Sequence, residues 1–325
     1  MEFNIKRLLL IALFISVGFS QQLAKVVETY ENGNIKSITS HKETRNRIEK
    51  VKYVEYYENG QKELVETYKD GKEDGLWTTW YENGQKREEG KFKDGKIDGK
   101  GTRWYENGNK REEVKFKDGK EDGLSTNWYE NGQKESEETY KDGKHDGLVT
   151  WWYENGQKSS ENTYKDGVRD GLWTTWYENG QKEGEGTFKF GEKDGKWTWW
   201  HENGQKKLDG RYKEGLMNGE WTYYHENGQI RYQGSYINGD GSYSDNYPDR
   251  YKKENPPFGG RNGKWTSWYE NGQKSWEGTF KDGEIYGLRT WYYENGEKSR
   301  EETFKAGELI DLKCWDEDGN KEECD

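Results

Sequence analysis

Residues 75–99 read GLWTTWYENGQKREEGKFKDGKIDG, and units of this kind recur along most of the chain. Their shared [Tyr/His]-Glu-Asn-Gly motif starts at Tyr30, Tyr57, Tyr81, Tyr105, Tyr129, Tyr153, Tyr177, His201, His225, Tyr269 and Tyr293. Most of these starts are 24 residues apart, as from position 81 to position 105. A period of this length is typical of repeat proteins, in which each unit is stabilised by its neighbours. The function is then expected on a surface built by many units.

Each unit reads as a β-hairpin. Asn83-Gly84 lies between two alternating runs, which favours a two-residue type I′ turn and places Trp77 opposite Gly90. The same Trp and Gly positions are occupied together in five repeats, at Trp77 and Gly90, Trp173 and Gly186, Trp197 and Gly210, Trp221 and Gly234, and Trp265 and Gly278. In the repeats without this Trp, the facing residue is not Gly either. We interpret the pairing as an indole that covers the glycine on the facing strand.

The second turn of each unit, at residues 93–99, returns the chain to the next hairpin, so each repeat supplies two antiparallel strands. We therefore predict an all-β fold, an elongated single-domain repeat array of antiparallel β-hairpins that form a long twisted sheet. Alternation along the strands gives this sheet two faces. The face with Tyr81, Trp77, Phe92 and the glycines is expected to be the packing face.

The opposite face is the candidate binding face. It is predicted to carry the tryptophans Trp80, Trp104, Trp128, Trp152, Trp176, Trp200 and Trp268 beside the glutamates Glu89, Glu113, Glu137, Glu161, Glu185, Glu277 and Glu301. The single charge sign of the glutamate row and its regular spacing beside aromatic rings favour binding. The alternative is structural: the rings pack across neighbouring strands in place of an ordinary core, and the glutamates are a solvated surface.

Composition limits the classes of partner. The chain has 29% hydrophobic, 35% charged and 16% aromatic residues, and its strict period indicates an ordered fold with a thin core. Its formal charge is −11, which argues against nucleic acid as the main partner. Cys314 and Cys324 are expected to form a local disulfide at the last hairpin, because two thiols without a nearby His leave a zinc site incomplete.

The first twenty residues read as a cleaved signal peptide. Lys6 and Arg7 precede an apolar run from Leu8 to Phe19, and cleavage is expected near Ser20 and Gln21. An uncleaved anchor is the alternative, although the run is shorter than the roughly 20 residues that a membrane span needs. We expect a secreted, periplasmic or cell-surface protein with no transmembrane segment after cleavage.

The domain prediction follows from where the period holds and where it breaks. It assigns 1–20 to the signal peptide, 21–56 to an N-terminal cap with a degenerate first repeat, 57–239 and 261–312 to tandem repeats, 240–260 to an insertion loop with all three prolines, and 313–325 to a C-terminal cap. The insertion carries Asp240, Asp245 and Asp249, but their spacing lacks the ligand pattern of a calcium loop. An exposed loop is therefore the expected structure there. The atypical ends are expected to cap an open sheet.

The unit YENGQKxxEGxFKDGKxDGxWTxWY resembles the MORN repeat variant, including the form found in YwqK-type antitoxin proteins. The resemblance covers about residues 27–312, and it implies a sheet of hairpins with a role in protein interaction or assembly. It supplies no catalytic residues, and the export signal departs from a cytoplasmic antitoxin.

No nucleophile elbow, phosphate loop or metal-ligand cluster appears in the sequence, so we expect no enzymatic activity, no cofactor and no metal site. The favoured hypothesis is a secreted or envelope-associated scaffold that binds a protein partner, basic or extended in form. A carbohydrate or cell-wall polysaccharide partner and a YwqK-type antitoxin role are the alternatives.

Overall fold

The computed structural model describes residues 23–43, 47–240, 257 and 259–324. The predicted signal peptide at residues 1–20 lies outside this part of the chain, as do Pro248, Pro256, Asp245 and Asp249 of the predicted insertion loop. The described residues contain β-strands and no helix. They divide into two compact units, residues 1–156 and 157–325, which are described separately below.

The described residues of the first unit form thirteen strands. They are β1 (Leu23–Thr29), β2 (Ile35–Glu43), β3 (Ile48–Tyr56), β4 (Lys62–Lys69), β5 (Lys72–Glu73), β6 (Gly75–Trp80), β7 (Lys86–Lys93), β8 (Lys96–Ile97), β9 (Gly99–Trp104), β10 (Lys110–Lys117), β11 (Lys120–Trp128), β12 (Lys134–Lys141) and β13 (Lys144–Trp152). The second unit also contains thirteen. They are β14 (Lys158–Lys165), β15 (Val168–Trp176), β16 (Lys182–Lys189), β17 (Glu192–Trp200), β18 (Lys206–Lys213), β19 (Leu216–Tyr224), β20 (Ile230–Gly239), β21 (Arg261–Trp268), β22 (Lys274–Lys281), β23 (Glu284–Tyr292), β24 (Lys298–Lys305), β25 (Glu308–Trp315) and β26 (Lys321–Glu322).

Within each unit, the long strands that follow one another pair antiparallel. The short strands β5 and β8 share a partner with the strand that follows them, since β4 pairs with β5 and β6, and β7 pairs with β8 and β9. The predicted hairpin register is confirmed: Trp77 pairs with Gly90, and Gly75 pairs with Phe92. The equivalent pairs Trp173 with Gly186 and Trp221 with Gly234 also form. The all-β class and the array of antiparallel hairpins are therefore confirmed.

The turn at the Asn-Gly motif differs from the prediction. The Tyr81 carbonyl accepts a hydrogen bond from the Gly84 N–H at 2.9 Å, and the Tyr81 N–H donates to the Gln85 carbonyl at 2.9 Å. The loop therefore has three residues, with Gly84 at φ 83° and Asn83 outside the positive-φ region. The pairing also shifts by one residue between Thr79 and Trp80, so β7 carries one extra residue there as a bulge. The predicted two-residue type I′ turn at this motif was wrong.

The Asp-Gly motif forms the type I′ turn instead. Asp94 and Gly95 have φ values of 52° and 82°, and Lys93 pairs directly with Lys96. Positive φ at both central residues is the requirement of a type I′ hairpin. The same left-handed conformation recurs at Phe190 and Ala306, whose side chains do not favour it.

Side chains of the Asn-Gly motif join each repeat to the next one. The Tyr81 hydroxyl donates to the Trp104 carbonyl at 2.8 Å, and Asn83 Nδ2 donates to the Glu106 carbonyl at 3.1 Å. Where His replaces the Tyr, the contact persists, since His225 Nε2 lies 2.9 Å from the Trp268 carbonyl. The recurrence of Tyr or His and of Asn is therefore explained by bonds between successive turns.

The packing face of the second unit is an aromatic core. Trp197, Trp221 and Trp265 are at most 1% exposed. Tyr232, Tyr236 and Phe280 are also buried on this face. Trp221 and Trp265 meet Tyr236 edge to face, an arrangement that adds to the stabilisation from buried area. The prediction that this face is the packing face is confirmed for the second unit.

At Gly186, Gly210 and Gly234 the covering indole comes from a different strand than predicted, whereas at Gly90 the nearest indole is the predicted one, Trp77. A Cβ atom on Gly186 would lie 2.1 Å from the ring of Trp197, which belongs to the following repeat, and the corresponding ring for Gly210 is Trp221. Trp173 is the paired residue of Gly186 but lies over Gly184. The predicted register is confirmed, but the predicted covering ring was wrong at Gly186, Gly210 and Gly234.

The packing face of the first unit is polar in its last repeats. Glu138 is buried, and its carboxylate accepts hydrogen bonds from Ser136 at 2.8 Å and from Tyr140 at 2.7 Å. His145 Nε2 lies 2.7 Å from the same carboxylate. Burial acts to raise the pKa of Glu138, but these hydrogen bonds outweigh it and lower the pKa overall. Burial raises the pKa of Glu121, the neighbouring carboxyl group. This cluster takes the place that indoles fill in the second unit.

The C-terminal hairpin carries the predicted disulfide. Cys314 and Cys324 are bonded, with their Cα atoms 5.3 Å apart. The bond closes the turn at Asp316, where the Asp316 N–H donates to the Asn320 carbonyl at 2.9 Å as in the other repeats. β26 pairs only with Cys314 and Trp315 of β25.

Candidate functional site

Each row tryptophan is the last residue of the strand that precedes an Asn-Gly turn. In the first unit these residues are Trp80, Trp104, Trp128 and Trp152, and in the second they are Trp176, Trp200 and Trp268. Because side chains alternate along a strand, Trp80 shares its face with Thr78 and Leu76. We call this surface the tryptophan face. All seven rings are half-buried rather than fully exposed.

A lysine of the preceding repeat lies over nearly every one of these rings. Lys86 Nζ is 5.6 Å from the ring centroid of Trp104, and Lys110 Nζ is 5.4 Å from that of Trp128. Equivalent contacts join Lys62 to Trp80, Lys134 to Trp152, Lys158 to Trp176 and Lys182 to Trp200. An ammonium group over an indole gives about 0.5–1 kcal/mol at an exposed site. The rings therefore contribute to joining the repeats, as the structural alternative expects.

The same lysines neutralise the glutamate row. Lys110 Nζ lies 2.6 Å from Glu113, and Lys134 Nζ lies 2.5 Å from Glu137. The pattern of a lysine three residues before the acid repeats at Lys86 and Glu89, Lys158 and Glu161, Lys182 and Glu185, Lys274 and Glu277, and Lys298 and Glu301. The tryptophan face is therefore a ladder of paired charges. The expectation of a row of a single charge sign was wrong, because the lysine that follows each turn is on the same face as the glutamate.

Two glutamates receive a second lysine. Glu277 lies 2.8 Å from Lys264 Nζ and 2.9 Å from Lys274 Nζ, and its other oxygen accepts a bond from the Tyr292 hydroxyl at 3.0 Å. The hydrogen bond from Lys264 is the main cause that lowers the pKa of Glu277 to about 2. At Glu113, burial acts to raise the pKa, but hydrogen bonds from Lys100 and Lys110 lower it overall.

Leucine side chains are the most exposed apolar groups of the tryptophan face. Leu76, Leu124 and Leu148 of the first unit occupy the same repeat position and are 56%, 51% and 48% exposed. Leu172 and Leu288 hold this position in the second unit and are also exposed. Beside Leu124 lies a surface depression of about 290 Å³ that is also lined by Glu113 and Thr126. The face thus offers apolar contact sites between paired charges.

The part of the chain that the structure describes contains no group of His, Cys, Asp and Glu side chains suited to a metal ion. Asp240 is described, whereas Asp245 and Asp249 lie outside that part. The described residues also include no helix that could span a membrane.

Sequence reasoning overlooked the lysines at the start of each returning strand. Their signal was present, since Lys86, Lys110 and Lys134 follow the turn glycine at a constant distance and precede the glutamate by three residues. In a regular strand residues three apart point to opposite faces. The bulge after the turn removes this difference and brings both side chains to one face.

Comparison with known proteins agrees with the repeat organisation. The MORN repeat variant matches ten segments, residues 51–70, 73–94, 97–118, 121–142, 146–166, 169–190, 193–214, 217–238, 261–282 and 285–306. No curated protein matches the chain.

Two solved structures match the chain only distantly. A chain of the TcdB2-TccC3 crystal structure is 11% identical over 93% of this chain and 17% of that chain, with a TM-score of 0.19. A chain of the Photorhabdus luminescens Tc holotoxin pore is 10% identical over 90% of this chain and 16% of that chain, with a TM-score of 0.18. This chain spans less than a fifth of either one, and TM-scores this low do not indicate a shared fold. The ten repeat matches cover more than half of the sequence, and the chain belongs to the MORN repeat variant family.

Proposed function

We propose that this protein is an exported, non-enzymatic scaffold whose tryptophan face binds an extended segment of another protein. The observation that carries the proposal is the row of half-exposed leucines at Leu76, Leu124 and Leu148, which recurs at one repeat position. Exposed apolar groups in a regular row are typical of interaction surfaces. Several weak contacts of this kind along one partner would add up through multivalency.

The geometry also changes the expected chemistry of the partner. The row carboxylates already meet lysines of their own face, so a purely basic partner would have to displace those lysines. A partner that combines apolar side chains with both charge signs fits the ladder better, because it can meet the leucines and leave the ion pairs intact.

A pull-down from the source cell envelope tests the proposal. The double variant Leu124→Glu and Leu148→Glu places charge on two exposed side chains, so the fold should persist while capture of the partner is lost. The matched control is Trp151→Ala, because Trp151 is exposed on the opposite face of the same strand, β13. Equal capture by wild type and by the leucine variant, with an unchanged melting temperature, would contradict the proposal.

A cell-wall polysaccharide is the second candidate, since partly exposed indoles can stack on the apolar faces of sugars. The lysines over Trp104, Trp128 and Trp152 compete for those ring faces, which favours a protein partner. Sedimentation with purified cell walls separates the two candidates, because only the glycan candidate expects retention on protein-free polysaccharide.

The third candidate is a YwqK-type antitoxin role, which rests on the repeat alone. Export and this role exclude each other in the simplest case, so N-terminal sequencing of the native protein decides between them. A chain that begins near Gln21 supports export. A chain that retains its first twenty residues in the cytoplasm supports the antitoxin role.

A further inference from the structure

The last long strand of the second unit, β25, is paired along most of its length on one side only. Its residues Glu308 to Cys314 pair with β24, from Lys305 back to Arg300. On the other side, β26 pairs with Cys314 and Trp315 alone. No strand among the described residues pairs with Glu308–Lys313 on that side. The sequence predicts a cap at this end, but the cap covers only two residues of the strand.

The uncovered stretch is apolar as well as unpaired. Leu309, Ile310 and Leu312 are 49%, 59% and 37% exposed. The carbonyl and N–H groups of an open edge are a template for another strand, and exposed apolar side chains make the pairing more favourable. Six residues span about 20 Å of extended chain, which is enough to hold a short peptide strand.

The repeat pattern shows what kind of strand belongs at this edge. The turn at Asp316 makes the same backbone bonds as the turn at Tyr293, so β25 is the counterpart of β23. β23 is flanked on one side by β22 and on the other by β24. Both neighbours begin and end with lysine and contain Phe near their ends, at Phe280 and Phe304. The open edge therefore matches a strand that carries a lysine at each end and an aromatic residue between them.

The charge of the edge strand also indicates what kind of partner would fit it. Glu308 and Asp311 lie on the edge strand with one lysine, Lys313, whose Nζ is 3.1 Å from Asp311. The stretch thus has a net charge of −1 within a chain of formal charge −11. A partner strand with an excess of Lys or Arg would complement it.

We propose that Glu308–Lys313 of β25 is a docking edge for an extended, apolar and basic segment of a partner protein, bound by antiparallel strand addition. Backbone hydrogen bonds would hold such a segment, while Leu309 and Leu312 would select its apolar side chains. This site lies on the edge of the sheet and is separate from the leucines of the tryptophan face.

The probe is a fluorescent synthetic peptide with the sequence of Lys298–Lys305, KSREETFK, which forms β24 on the side of β23 that corresponds to the open edge of β25. Fluorescence polarisation with the full chain should show saturable binding. The edge variant Leu309→Lys with Leu312→Lys should weaken this binding at least ten-fold, and a fully N-methylated peptide should not bind. Absence of saturable binding to wild type would overturn the proposal.

Two controls keep this test separate from that of the tryptophan face. The variant Leu124→Glu with Leu148→Glu should bind the peptide as wild type does, and weaker binding by it would overturn the edge assignment. Sedimentation of the wild type without peptide tests whether a second copy of this chain occupies the edge instead. A dimer that the edge variant abolishes would show that a second copy fills the edge, which also overturns the proposal.

Discussion

The indole of Trp197 lies directly over Gly186, and its N–H donates to the carbonyl of Thr187 at 3.2 Å. The same arrangement joins Trp221 to Gly210 and the Arg211 carbonyl, at 3.2 Å. Pairing between β16 and β17 shifts between Glu185 and Thr187, so the glycine lies at an irregularity of the ladder. Because glycine has no side chain, the indole can lie against its backbone, and the indole N–H donates a hydrogen bond to a carbonyl beside that irregularity. The packing face of the second unit depends on this relationship.

The first prediction is that Gly186→Ala destabilises the protein by about 1–3 kcal/mol, because the new Cβ atom meets the ring of Trp197. Gly90→Ala is the matched control. A Cβ there lies 3.5 Å from Ile97, an ordinary contact, so the change in unfolding free energy should stay below about 1 kcal/mol. Chemical denaturation measures both. Equal losses would show that the ring does not lie on the glycine.

The covering ring can be identified by a double-mutant cycle. Gly186→Ala should couple to Trp197→Leu by about 1 kcal/mol or more, because the smaller side chain leaves room for the Cβ atom. Its coupling to Trp173→Leu should be smaller, since that ring lies over Gly184. The reverse order of couplings would favour cover by the paired residue on β15.

The second prediction concerns the type I′ turn at residues 190 and 191. Phe190 has φ 52° and is 79% exposed, whereas the equivalent residue Asp94 has the same φ and a side chain that tolerates it. Phe190→Asp should therefore raise the unfolding free energy by about 1 kcal/mol. Asp94→Phe should lower it by a similar amount. A thermal melt of both variants checks the sign, and a loss of stability in Phe190→Asp would count against the turn assignment.

The third prediction concerns the bond from each motif tyrosine to the next repeat. The Tyr105 hydroxyl donates to the Trp128 carbonyl at 2.8 Å, so Tyr105→Phe should cost about 1–2 kcal/mol by leaving that acceptor without its partner. At position 225, where His makes this contact, His225→Tyr should be nearly neutral and His225→Phe should be costly. Unfolding in urea distinguishes these variants. A neutral Tyr105→Phe would mean that water replaces the bond.

The fourth prediction is a pH dependence that comes from Glu277. The pKa of this group falls from 4.5 to about 2 on folding, chiefly through the hydrogen bond from Lys264. A lowered folded-state pKa adds stability above the unfolded value, and that stability is lost as pH falls from about 4.5 towards 2. The unfolding free energies of wild type and Glu277→Gln should therefore differ by at most about 3 kcal/mol above pH 5 and should converge near pH 2.

Glu161→Gln is the control for this experiment, because Glu161 meets a single lysine, Lys158, at 2.5 Å. An exposed pair of this kind is worth about 0–1 kcal/mol, so its removal should change stability little at any pH. A pH profile of Glu277→Gln that runs parallel to wild type would contradict the assigned cause.

The repeat and its hairpin register were readable from the sequence alone. A period of constant length, alternation along each strand and the joint occurrence of Trp77 with Gly90 and Trp173 with Gly186 carry that information, because strand pairing is a local relationship within one hairpin. The disulfide between Cys314 and Cys324 was predictable for the same reason, since both residues belong to one hairpin. The all-β class follows from the same signals.

Only the tertiary structure decided which side chains of neighbouring hairpins contact each other. The ring over Gly186 belongs to the next repeat, and the lysine over Trp104 belongs to the previous one, which alternation within a hairpin cannot show. The bulge beside each Asn-Gly turn brought Lys110 and Glu113 to one face and so removed the row of a single charge sign. The edge of β25 is open because β26 pairs with only two of its residues. The sequence of β25 cannot show this, since the pairing of an edge depends on which strand lies beside it.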